Sequence, residues 1–368
     1  MHIPFCRQAC TYCNFHFTTS LRYKDALVDA LVREAIAETA YLEGQSVETV
    51  YFGGGTPSLL TLPELERILG TIRKNYPVAT GAEITLEANP DDIGRDRLQG
   101  WKDLGINRLS IGVQSFHEEE LRWMNRAHSA REARESLELA VAAFDNITMD
   151  LIYGSPLLTD EGWKENVDLA TGLGVPHLSC YALTVEEKTP LNKLIEHRQS
   201  ADVDSDKQAR QFLLLMHWLR EKGYEHYEVS NWAKPGFRSR HNSSYWRGVH
   251  YLGLGPSAHS FNGVERRWNV ANNSQYIAGL DKGTPVRETE RLSDTERLNE
   301  FLMISLRTME GIDLERLTAG WGEAERQRVL REAAPHLAAG HLLLDGGHLR
   351  LTDTGMLLAD GIAAGMFA

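Results

Sequence analysis

Three cysteines stand close together near the start of the chain as Cys6-x3-Cys10-x2-Cys13. Thiolates at this spacing can wrap one small metal centre from a single loop. Around a four-iron cube, three protein thiolates leave one iron open to an exchangeable ligand, and chemistry is possible at that corner. A zinc site would usually show two CxxC pairs, or one CxxC with paired histidines. The only extra donors nearby are His2 and His16. Zinc or unligated thiols are therefore the alternative reading of the cluster, ranked behind an iron-sulfur cube. The fourth cysteine, Cys180, lies far away and is most simply a buried strand residue.

Strand-like and helical patterns alternate through the part of the chain that must position this loop. Strands are predicted at Thr49–Phe52, Glu83–Glu87, Arg108–Gln114, Ile147–Tyr153, His177–Leu183 and near His226–Val229. Helical periodicity fills Tyr23–Tyr41, Leu62–Asn75, Ile93–Leu104, Ala130–Phe144, Glu161–Leu173 and Ser205–Lys222. Alternation at this spacing implies an α/β fold with parallel strands and right-handed crossovers, closer to a partial (βα)6 TIM-like barrel than to a doubly wound sheet. Functional groups then belong at the C-terminal strand ends. Gly53-Gly54-Gly55-Thr56-Pro57, Glu87 and Gln114 all follow or end predicted strands, and Asp150 lies within one.

The pattern divides the chain into residues 1–232 as the barrel, 233–285 as a connecting segment and 286–368 as a small helical, winged-helix-like domain. Within the connection, Pro235–Trp268 is rich in Gly, Ser, Asn and aromatics and reads as irregular. A net charge of −12 argues against broad binding to nucleic acid, although Arg238, Arg240, Arg247, Arg266 and Arg267 gather locally. Four cysteines in 368 residues do not make a disulfide framework, so reduced thiols and a cytoplasmic location are expected. No apolar run of about eighteen residues, the length of a membrane span, is present, and no signal peptide is visible.

An ordered series of motifs carries a resemblance. It runs His2-Ile3-Pro4-Phe5-Cys6, Tyr12-Cys13-Asn14-Phe15, Tyr51-Phe52-Gly53-Gly54-Gly55-Thr56-Pro57, Glu87-Ala88-Asn89-Pro90 and Gly112-Val113-Gln114-Ser115-Phe116. Asn125-Arg126 and Asp150-Leu151-Ile152-Tyr153-Gly154 complete it. Together these resemble the radical S-adenosylmethionine (SAM) superfamily and, within it, the oxygen-independent coproporphyrinogen III oxidase-like family. Two features point to the heme chaperone branch, HemW, rather than to the oxidase proper. The oxidase has a further cysteine where this chain has Phe15, and His241-Asn242-Ser243-Ser244-Tyr245-Trp246 matches the HNxxYW signature of the chaperones. Gly253–Ser260 fits the same branch.

The resemblance implies a [4Fe-4S] cluster on Cys6, Cys10 and Cys13. It further implies SAM contacts from Tyr12, Gly54, Gly55, Thr56, Glu87, Gln114, Arg126 and Asp150. Arg126 suits a carboxylate, which a guanidinium can clamp bidentately. Heme is the third implied group, with His241 as axial-ligand candidate beside Tyr245 and Trp246. His250 and His259 compete for that role, and Arg238 or Arg240 could meet propionates. The implied partner is a heme acceptor such as a membrane-bound respiratory enzyme, and homodimerisation through the bound cluster is left open. No catalytic residue is assigned, and oxidative decarboxylation of coproporphyrinogen III is the alternative function. The family also has a strand before the cysteine loop, with a tyrosine two residues ahead of the position of His2. That position precedes Met1, so a start further upstream is expected.

Overall fold

The structure is a computed structural model that describes residues 1–368. The chain forms two compact units. The first holds Met1–Phe212 with His250–Glu290, and the second holds Leu213–Val249 with Arg291–Ala368. The glycine- and aromatic-rich stretch is thus shared between them.

In the first unit the elements run β1 (His2–Ile3), α1 (Lys24–Ala37), β2 (Val47–Gly54), α2 (Leu62–Asn75), β3 (Val78–Ala88) and α3 (Arg95–Asp103). They continue with β4 (Arg108–Gln114), α4 (Glu118–Trp123), α5 (Ala130–Ala143), β5 (Ile147–Tyr153), α6 (Asp160–Gly172), β6 (His177–Ala182) and α7 (Pro190–Glu196). Helix α8 (Ser205–Glu221) passes from the first unit into the second. Strands β1 to β6 lie side by side in chain order, every neighbouring pair parallel. These six make the partial (βα)6 barrel, with His2–Ile3 as its first strand; the strand predicted near His226–Val229 instead forms an antiparallel pair, Glu225–Glu228 with Asn231–Ala233.

Its strands are buried along most of their length, β4 and β5 almost throughout, as expected of parallel strands covered by helices. Helices meet the sheet through apolar residues at helical spacing, for example Leu65, Ile68, Leu69 and Ile72 of α2. Both α2 and α5 begin with capping boxes, Thr61 with Glu64 and Ser129 with Glu132. These signals explain why α2, β4 and β5 fall on their predicted bounds. The short α4 and α7 carry too few turns for periodicity to reveal them.

The segment read as irregular is ordered. It contains the helix α9 (Arg240–Trp246), capped by Ser239, and an antiparallel pair, His259–Phe261 with Glu265–Asn269. Seven-residue helices and three-residue strands are too brief to show a period, and polar composition hid them. The Gly253–Ser260 loop packs within the first unit, where the Gly255 N–H donates to the buried Glu34 carboxylate at 2.8 Å. Asn269 and Tyr276 donate to the same side chain.

The second unit surrounds a core of Leu302, Leu306, Ile312, Leu317, Val329 and Leu349. A small antiparallel sheet orders Ile312–Asp313, His348–Leu351 and Leu342–Asp345, which gives the expected wing beside the helices Asp294–Leu306, Leu314–Trp321 and Glu323–Ala338.

Glu34 is 2% exposed and joins α1 to two distant segments. Replacing it with alanine strands three donors, at about 1–3 kcal/mol each when buried. Glu34→Ala is expected to destabilise the fold by about 3–5 kcal/mol, and Glu34→Gln by clearly less. Urea unfolding midpoints of the two variants check this order.

Candidate functional site

The C-terminal ends of β2 to β6 open into a cavity of about 480 Å³. Its walls include all three cluster cysteines together with Tyr12, Gly54, Gly55, Thr56, Glu87, Gln114, Arg126 and Asp150. Every cluster and SAM position named from sequence therefore meets in one place. Two backbone clasps hold the cysteine loop there. At its base, Cys6 N–H donates to Thr18 O at 3.0 Å and Thr18 N–H to Pro4 O at 2.9 Å. Behind it, Gly55 N–H reaches Ile3 O at 2.9 Å and Thr56 N–H reaches Phe5 O at 2.7 Å.

The glycines are required by this contact. A Cβ on Gly54, whose φ is +108°, would stand 1.6 Å from the His2 ring, and one on Gly55 would stand 2.7 Å from Phe5 O. Only bare backbone lets the strand end and the loop approach so closely.

The far side of the loop is held by Asn125, which has a φ of +56°. Its amide donates to Ala9 O at 2.7 Å and accepts from Gln8 Nε2 at 2.6 Å. Arg126 then turns inward. Its Nη1 reaches Cys10 Sγ at 3.3 Å, and its Nη2 reaches Asn89 Oδ1 at 2.8 Å and Gly112 O at 2.6 Å. Asn89 donates to Thr56 Oγ1 at 3.1 Å, and Thr56 lies 3.5 Å from Cys6 Sγ. One polar chain thus links two of the thiols through Thr56, Asn89 and Arg126. Asn89 and Asn125 escape the sequence analysis as site residues. Both lie inside quoted motifs, Asn125 beside Arg126 and Asn89 two residues after Glu87.

Burial pushes the Cys6 thiol up to about 11 and raises Cys13 as well. These groups keep their protons at neutral pH, so loading a metal centre must displace them. No group of His, Cys, Asp and Glu is arranged to close on a single metal ion. Ligands of a cube bind irons at separate corners and need a wider spread. Three thiols on one loop, glycine backbone behind them and a sealed Arg126 Nε without a partner suit a cluster with an anionic ligand beside it.

Two carboxyls line the opposite wall. Burial lifts Glu87 to about 7 although Tyr51 Oη and Gly54 N–H donate to it, and burial lifts Asp150 to about 6. Such groups accept from hydroxyls or from an amine. Gln114 is buried with a φ of +72°. Tyr12 packs against Met124, Ile152 and Leu183. Phe15 is 70% exposed. Cys180 is buried within β6.

Of the heme candidates, His241, Tyr245 and Trp246 lie in the second unit, and His250 and His259 in the first. His241 Nε2 and Tyr245 Oη are 3.0 Å apart, one helical turn from each other on α9. Trp246 instead lines a separate cavity with Ser243 and Arg247. By helical spacing these three occupy the side of α9 opposite His241 and Tyr245. The trio is therefore not one cluster. Arg238 is paired with Glu225 at 3.0 Å and Glu310 at 2.9 Å. His259 stacks on Trp268 in the first unit, where burial lowers its pKa.

Residues 1–170 match the radical SAM superfamily, and residues 292–358 match the HemN C-terminal domain. A curated relative from Mycobacterium tuberculosis, "Heme chaperone HemW", is 37% identical over 98% of this chain and 92% of its own length. The protein of the same name from Escherichia coli K12 is 33% identical over 98% of this chain and 96% of its own. The chain belongs to the HemW family. Among solved structures, the coproporphyrinogen III oxidase HemN of Escherichia coli matches with a TM-score of 0.85 at 24% identity, covering 100% of this chain and 89% of its own. HemN and this HemW family member thus share a fold. No helix is long and apolar enough to cross a membrane.

Both raised carboxyls bind protons more tightly in the folded than in the unfolded chain. Stability from the neutral Glu87 is full below its ordinary value of 4.5 and is lost as pH rises through about 7. Glu87→Gln is expected to remove about 3 kcal/mol of this decline between pH 4.5 and pH 7. Unfolding midpoints of the metal-free protein across that range provide the check, and an unaltered slope would contradict it.

Proposed function

We propose that this chain is a heme chaperone that holds a [4Fe-4S] cluster on Cys6, Cys10 and Cys13, binds SAM beside it, and passes heme to an acceptor such as a respiratory enzyme. The observation that carries the reading is the convergence of the three thiols and the eight polar and glycine positions on one cavity. The family kinship and the HNxxYW segment then favour a carrier. A bound cluster would supply one-electron chemistry to a sulfonium ligand on its open iron.

The chain's own residues orient what binds. In this reading Arg126 clamps the SAM carboxylate while supporting Cys10. Glu87 and Asp150 accept hydrogen bonds from its amine or ribose hydroxyls, and Gly54, Gly55 and Thr56 give the cofactor backbone to lie against. Tyr12 supplies an apolar face. His241 is the proposed axial ligand, with Tyr245 as its hydrogen-bond partner, and Trp246 is withdrawn from that face.

Anaerobic reconstitution with iron and sulfide, followed by heme titration, tests the reading. A stoichiometric Soret band that moves to an apo-acceptor, without porphyrinogen turnover, is the expected result. Porphyrinogen turnover with release of 5′-deoxyadenosine would establish the oxidase instead. His241→Ala is expected to shift the Soret maximum, and an unchanged spectrum removes His241 from the heme site. Asn89→Ala, which cuts the link between Thr56 and Arg126, is expected to lose cluster to a chelator ~10-fold faster, the usual scale for an outer support of a metal ligand.

A further inference from the structure

We propose that the second unit contains a separate anion site, a cavity bordered by α9 that takes the carboxylate end of a flat apolar acid. The cavity is about 270 Å³ and lies among Tyr227, Trp246, Phe301, Arg316 and His348. Trp246 and His348 on its wall carry ring nitrogens, Nε1 and Nδ1, that have no hydrogen-bond partner and lie just beneath the surface. An indole N–H only donates, and an imidazole nitrogen can. Buried donors without acceptors cost about 1–3 kcal/mol each, so an acid that shifts the side chains covering these two nitrogens gains two donors in return.

The charges agree. Glu310 is bound by Arg238 at 2.9 Å. Asp313 accepts the backbone N–H groups of Glu315 and Arg316 at 2.9 and 3.0 Å, which hold its carboxyl below the usual range. Both acids on the wall are thus already satisfied. Arg316 lies 5.1 Å over the Phe301 ring and donates to the Arg247 carbonyl at 3.3 Å, not to a carboxylate. Arg247 stands exposed at the rim. Arg316 and His348 also act on the Asp313 charge, but three guanidiniums, Arg238, Arg247 and Arg316, line the cavity against two carboxylates, so its balance is positive. The aromatic walls suit a flat body.

Pockets for drug-sized ligands run about 300–1,000 Å³. This one admits a single acid arm or a small free acid, and not a whole macrocycle. It also faces away from His241 across α9, so it is distinct from the proposed axial ligand. A porphyrin propionate and a free aromatic acid are two sources of the same chemistry, and only the first rests on the heme-carrier reading.

The full-length protein is titrated with benzoate and with benzamide by ligand-observed NMR. Benzoate is expected to bind at least tenfold more tightly than the uncharged amide. Trp246→Phe, which replaces the indole by a ring without the N–H, and Arg316→Met are each expected to weaken benzoate about tenfold, with the far-UV circular dichroism of the free protein unchanged. Absence of benzoate binding, equal binding of the amide, or indifference to both variants overturns the site. Displacement of benzoate by hemin but not by its dimethyl ester supports the site and identifies a propionate as the source. Displacement by neither supports the site with a free acid as occupant, while equal displacement by both overturns carboxylate recognition. Benzoate binding in a protein that takes no heme would leave the site standing and sink only the carrier reading.

Discussion

The whole first unit depends on a close backbone contact: the Gly55 and Thr56 amides donating to the Ile3 and Phe5 carbonyls. Two chain segments more than forty residues apart meet there with no side chain between them. The contact fixes the loop that carries Cys6, Cys10 and Cys13 against the end of β2, and so decides where a metal centre could sit. Without it the three thiols would be held only by the Thr18 contact and by Asn125 and Arg126 on the loop's far side. The glycines are unavoidable because a single methyl group would collide with His2 or with the Phe5 carbonyl.

Around that clasp the site is built in tiers. Asn125 grips the loop from outside, and Arg126 enters from the same turn to touch Cys10. Asn89 joins that guanidinium to Thr56, and through it to Cys6. The result is a rim in which one tight turn both positions the loop and supplies its only interior guanidinium contact to sulfur. Such coupling of placement and charge keeps a cationic group beside the sulfur of Cys10.

Much of this was legible from residue order alone. Parallel strands betray themselves by unbroken apolar runs, and β4 and β5 show this clearly. Capping boxes mark α2 and α5, so their beginnings could be read directly. The cysteine triad, the glycine run and Arg126 are unusual enough to announce a site. What stayed hidden shares a cause: it is short or neutral. Helix α9 spans two turns, and Asn89 and Asn125 carry no charge, so neither periodicity nor electrostatics picks them out. The relation of Trp246 to His241 was also unreadable, since proximity in a motif says nothing about which side of a helix each residue takes until the helix is known.

That two-sidedness has a thermodynamic consequence. One helix of seven residues carries both flanks, so a tilt that made room for the proposed occupant at His241 would also move the wall holding Trp246. Whatever free energy such an adjustment carries is common to both flanks and acts equally in either direction. A guest on one flank would then tighten or loosen its counterpart by one shared factor, making α9 a lever whose two arms cannot be set independently.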